Sequence, residues 1–175
     1  MNPALPPVTR KIARTGYMDQ ALDPASLQQI VTEARRELAD VDFDTIVGTG
    51  FSGSVVIPAV AMALGKDFLL IRKEDDQSHH GGGLPVGTLG KRWIFLDDFV
   101  SSGATWRRVF RKVAAFAKPS PDYWGDKTEV ATEYVGTYIY INYSDDPNFK
   151  LGWKPGRTTS PDHDGDPAVD THEES

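Results

Sequence analysis

Apolar residues return at helical spacing just after Asp23-Pro24, where Leu27, Ile30, Val31, Ala34 and Leu38 share one face. Asp23 suits a helix cap and Pro24 a first turn, so a helix is expected from there to about Asp40. A short apolar run, Asp44 to Gly48, then enters the turn Thr49-Gly50-Phe51-Ser52-Gly53. A helix over residues 54–64 should follow, with Pro58 near its first turn and Gly65 as its stop. Two further runs, DFLLIR at 67–72 and RWIFL at 92–96, are continuous and apolar, the pattern of strands covered on both faces. Residues 104–117 read as a helix ended by Lys118-Pro119. EYVGTYIYINY, at 133–143, reads as a strand rich in aromatic and β-branched residues, with one aromatic face packed under a helix.

Strands separated by helices predict an α/β fold: a single domain with a mainly parallel sheet flanked by helices. The stretch KEDDQSHHGGGLPVGTLGK at 73–91 breaks the alternation, and its glycines and polar residues predict a long mobile loop or ribbon with a functional role. Residues 1–22 are expected to form an N-terminal arm or hood segment, residues 23–154 the domain, and residues 155–175 a disordered acidic tail too poor in apolar surface to fold. Asp162-His163-Asp164 and His172 lie in that tail and are read as unstructured rather than as a metal site.

Composition narrows the function. A chain of 175 residues, 39% of them hydrophobic, has material for one core. The net charge of -6 offers no general attraction for nucleic acid or anionic lipid, so a bound phosphate must be held by local geometry. The absence of cysteine excludes disulfides and thiolate metal sites. No secretory h-region or apolar run of membrane-spanning length is present, and the expected compartment is the cytoplasm.

The strongest chemical signal is Ile94-Phe-Leu-Asp-Asp-Phe-Val-Ser-Ser-Gly-Ala-Thr105. A buried strand there delivers Asp97 and Asp98 at its C-terminal edge, where open α/β sheets place ligands, and a small-residue turn opens into a helix. Backbone N–H groups of Ser101, Ser102, Gly103, Ala104 and Thr105, with the three hydroxyls among them, can wrap a phosphate at the positive end of that helix. Asp97 and Asp98 suit neighbouring ribose hydroxyls. Taken alone, the same residues also fit a capped helix and a plain turn.

This pattern resembles the 5-phosphoribosyl 1-pyrophosphate (PRPP) motif of the type I phosphoribosyltransferases, and the sequence from Ile46 to Lys73 is similar to the adenine and orotate members. The resemblance implies that Thr49, Gly50, Phe51, Ser52 and Gly53 hold pyrophosphate through backbone amides. Arg72 and Lys73 would neutralise it as it leaves, and Glu74, His79, His80 and Gly81 would belong to a mobile catalytic loop. It further implies transfer of the phosphoribosyl group to a nitrogenous base of orotate or purine type. Asp97, Asp98, Arg72 and Lys73 would be the catalytic residues, Mg²⁺ would be bound through PRPP and water, and the chain would form a homodimer. A noncatalytic PRPP- or nucleotide-binding regulatory protein of the same fold is the second expectation, because Glu74-Asp75-Asp76 stands where the orotate enzymes carry a further lysine.

Overall fold

The computed structural model describes residues 18–72, 85–98, 103–119, 129–141 and 152–156. A six-stranded sheet in the order β3-β2-β1-β4-β5-β6 forms its centre. The strands are β1 (Thr45–Thr49), β2 (Asp67–Ile71), β3 (Val86–Gly87), β4 (Arg92–Asp97), β5 (Glu133–Ile139) and β6 (Gly152–Pro155). β2, β1, β4 and β5 run parallel, while the edge strands β3 and β6 are antiparallel to their neighbours. The sheet is therefore mixed with a parallel centre.

Helices α1 (Asp19–Leu22), α2 (Pro24–Glu37) and α3 (Gly50–Leu64) supply one covering layer, and α4 (Ala104–Phe116) supplies the other. Alternation along the strands feeds both layers. Ile46, Ile94 and Leu96 pack with Ile30, Ala34, Val56 and Val60, whereas Val47, Trp93 and Phe95 pack with Trp106, Val109 and Val113. The expected face of α2 is the one that packs inward, and Asp23 caps it through a 2.9 Å bond from the Ser26 amide.

Several boundaries differ from expectation. α2 ends at Glu37, short of Asp40. α3 starts at Gly50, so the residues read as a turn form its first turn, and Pro58 lies in mid-helix. The missing Pro58 N–H leaves the Ser54 carbonyl without its usual partner, at a position where Ser54 is exposed to water. Met18 and Ala21, expected in the arm, are buried against α2 and α3. Part of the loop between β2 and β4 is the short ribbon strand β3.

The chain stays paired through Pro155, opposite Gly136, and the Gly156 amide donates to Val135, so order continues past the expected start of the tail. The pairing shifts between Trp93 and Ile94, which face Tyr134 and Gly136. That irregularity turns Tyr134 toward α4 while Tyr138 and Tyr140 face α2 and α3, so the expected single aromatic face is divided between two layers.

Candidate active site

Chain order places a crevice at the C-terminal ends of β1 and β4. From β1 the chain crosses through α3 to β2 on one side, and from β4 it crosses through α4 to β5 on the other. Adjacent strands whose connections diverge in this way leave a gap at their carboxyl ends, open to a ligand.

Gly48 sets how closely the strands and α3 approach at this gap. A Cβ there would lie 2.3 Å from Ile57 Cδ1 and 2.7 Å from the Leu96 carbonyl oxygen. Thr49 follows as the N-cap of α3, but its Oγ1 donates 2.6 Å to the Ile71 carbonyl and makes no cap bond. Gly50 takes φ 80°, which glycine adopts without strain. Phe51 is 65% exposed at the rim, while Ser52 and Gly53 are buried. Gly103, at φ 67°, caps α4, again without a side-chain cap bond. Both helices thus begin at the crevice with no side chain of their N-cap residue bonded to their first-turn amides, the geometry that favours anions.

Asp97 and Asp98 stand at the end of β4. Ser52 Oγ donates to Asp98 Oδ2 at 2.9 Å, and the Asp98 amide donates to Asp97 Oδ1 at 3.0 Å. The Asp97 and Asp98 carbonyls accept from Tyr140 and Ile141, which fixes the backbone beneath the pair. Burial pushes the Asp97 carboxyl up to about 8, and the neighbouring Asp98 carboxylate adds to the rise through charge and hydrogen bonding. The Asp98 amide and the Arg108 guanidinium act in the opposite sense. Sequence reasoning missed Arg108, which lies within the expected helix 104–117 with no local signal of its role beside Asp97.

The structure therefore joins Ser52, in the α3 start formed by Thr49, Gly50, Phe51, Ser52 and Gly53, to Asp98 beside Asp97, while Gly103, Ala104 and Thr105 begin α4, the next helix after β4. Arg72 follows directly on β2, whose Ile71 carbonyl is tied to Thr49. Lys73, Glu74, His79, His80, Gly81, Ser101 and Ser102 lie outside the described residues.

No protein-family model matches the chain. Over 84 residues, 47% of this chain and 46% of the relative, it is 33% identical to the orotate phosphoribosyltransferase of Methanospirillum hungatei. Over 86 residues, 44% of this chain and 39% of the relative, it is 34% identical to that of Halorhodospira halophila. Each match thus spans less than half of the relative's length. Among solved structures, orotate phosphoribosyltransferase of Mycobacterium tuberculosis in complex with 5-phospho-α-D-ribosyl 1-diphosphate superposes with a TM-score of 0.52 at 18% identity, over 72% of this chain and 65% of that one. The Francisella tularensis orotate phosphoribosyltransferase gives 0.51 at 15% identity, over 77% and 61%. The chain thus carries the fold of these phosphoribosyltransferases and is similar in sequence to two orotate members over close to half its length.

Proposed function

We propose that the crevice binds PRPP and that the protein transfers its 5-phosphoribosyl group to a nitrogenous base of orotate or purine type. The observation that carries this reading is the bond from Ser52 to Asp98, which joins the turn after β1 to the acid pair after β4. Two helix starts suited to anions then flank two carboxylates suited to ribose hydroxyls. The start of α4, with Ser101 and Ser102, would take the ribose 5-phosphate, and the start of α3, with Arg72 and Lys73, the pyrophosphate.

In the reaction the bond between the anomeric carbon and pyrophosphate breaks, and its electron pair leaves with pyrophosphate. A ring nitrogen of the acceptor forms the new bond from the opposite face and gives up its proton. Positive charge develops on the ribose and negative charge on the leaving group. Fixed amide dipoles and the cations at 72 and 73 stabilise the second, and the Asp98 carboxylate offsets the first. Mg²⁺, when bound, would neutralise pyrophosphate oxygens. The acid pair suits hydroxyls and hydrated Mg²⁺, so Asp97 and Asp98 would hold the ion through water and PRPP oxygens.

A second reading, a PRPP- or nucleotide-binding regulatory protein without turnover, rests on the acidic run Glu74-Asp75-Asp76 in the predicted catalytic loop. Titration calorimetry with PRPP and Mg²⁺, on the parent and on Asp97→Asn/Asp98→Asn, tests binding. Pyrophosphate release over a panel of nucleobases tests turnover. Binding lost in the double variant with release driven by a base is the expected result. Binding without release supports the regulatory protein, and absence of binding to the parent overturns both.

A further inference from the structure

We propose that two copies of this chain pair through the outer face of α3. The inference does not depend on which ligand fills the crevice. α3 buries Val56, Ile57, Val60 and Ala61 in the core shared with Ala34, Ile46 and Ile94. Its other side carries Phe51, Val55, Pro58 and Met62, whose spacing of four, three and four residues keeps them in one line along the helix. Phe51 is 65% exposed and Met62 81%, while Val55 and Pro58 are partly buried. None of the 15 residues of α3 is charged, whereas α1, α2 and α4 all carry charges. A helix apolar all round is one that is covered on all sides.

Charge selects the occupant. Each copy bears a net charge of -6, so two copies repel over most of their surface and meet with least repulsion where a face has no charge. A two-fold axis sets a face against itself, so any charge near the axis would meet its own sign, and α3 offers none. A different protein would be recognised through charged or hydrogen-bonding groups. The polar side chain on this side, Ser54, turns its Oγ back to the Gly50 carbonyl of its own helix at 2.8 Å. Homodimer faces are the more apolar class of interface. The line from Phe51 to Met62 runs about 16 Å, the core of a contact that needs about 800 Å² from each copy. Neighbouring elements supply the margin: α1, which packs against α3, adds Leu22, 53% exposed. Phe51 precedes Ser52, which holds Asp98, so the pairing face reaches the rim of each crevice.

Sedimentation velocity and light scattering on the full chain over a dilution series test the pairing. The expected result is a dimer whose dissociation constant Met62→Glu raises about a hundredfold or more, because a charge is then buried in the interface without a partner. Met62 is exposed in the single chain, so this substitution buries no charge within the fold. Met62→Leu should leave the dimer intact, as should Gln28→Glu, which adds the same charge at an exposed position of α2. Methyl NMR reads the face itself. The Met62 methyl signal, assigned by its loss in Met62→Leu, should be shielded from a soluble paramagnetic agent at high protein concentration and broadened on dilution. A parent that stays monomeric at every concentration overturns the proposal, and so does a dimer indifferent to Met62→Glu. Shielding of Met62 in a monomer also overturns it, because the chain would then cover α3 itself. So does shielding gained only on adding phosphatidylcholine vesicles, which would make lipid the occupant.

Discussion

Ser52 and Asp98, 46 residues apart in sequence, meet in a 2.9 Å hydrogen bond from Ser52 Oγ to Asp98 Oδ2. The bond ties the first turn of α3 to the end of β4 and fixes one carboxylate oxygen at the crevice. Ser52→Ala removes the donor without adding bulk. A hydrogen bond to a charged group contributes about 1.5–3 kcal/mol, so PRPP binding should weaken by roughly tenfold or more. Ser52→Thr, which restores a hydroxyl, should recover most of it. Calorimetry on the three proteins checks this, and equal affinity in all of them would remove Ser52 from the account.

Asp97 gives stability a particular pH dependence. Its folded-state value is raised from 3.8 to about 8, chiefly by burial. Between these values the folded protein keeps a proton that the unfolded chain releases. The contribution is therefore complete below pH 3.8 and is lost as pH rises through about 8. Asp97→Asn can still accept from the Asp98 amide and carries no charge. Its stability relative to the parent should rise between about pH 5 and about pH 8.5, by up to ~4 kcal/mol, because the window covers about three of the tenfold steps in proton affinity, each worth about 1.4 kcal/mol. Thermal melts at the two pH values decide the matter, and a constant gap contradicts a raised Asp97.

Gly48→Ala should be among the most damaging small substitutions. The new methyl meets Ile57 Cδ1, which can move, and the Leu96 carbonyl oxygen, which is part of β4. Overpacking of this kind costs about 1–3 kcal/mol. Adding Ile57→Val removes the side-chain clash and leaves the backbone clash. Chemical denaturation should therefore show partial rescue, and full rescue would mean that β4 yields easily.

Glu37 fastens the last edge strand. Its Oε2 accepts from the Trp153 amide at 2.9 Å, and a Cβ on Gly152, at φ 91°, would collide with the same carboxylate. Glu37→Ala should cost about 1–2 kcal/mol and speed amide exchange at Trp153, whereas Glu37→Gln should retain most of the protection. Exchange at Trp153 unaltered by Glu37→Ala would show that pairing with β5 alone holds β6.

The parts legible in sequence were those whose signal is local and repeated. β1, β2 and β4 are apolar on both faces and could be read as buried strands, and α2 carries its cap, its proline and its apolar face within a few turns. β6 was missed and β3 was read only as part of a loop or ribbon, because four residues, Gly152 to Pro155, and two, Val86-Gly87, are too few to set a period. α3 was placed too late because Gly50 and Gly53 have the composition of a turn. Here the helix uses Gly50 for its positive φ and buries Gly53 close to Ile57.

The sequence by itself determined the inventory: parallel strands and covering helices, two adjacent acids after one strand, and glycine-bearing starts to two helices. Each of those signals lies within about a dozen consecutive residues, where backbone preference and periodicity act. Only the tertiary structure decided which of these parts share a crevice, that Ser52 holds Asp98, that Arg108 acts on Asp97, and that an irregularity in β5 sends Tyr134 to one layer and Tyr138 to the other. The reason is physical. Burial, hydrogen bonding across strands and the field of a distant charge depend on separation in space, and that separation is set by how β1 and β4 come to lie side by side.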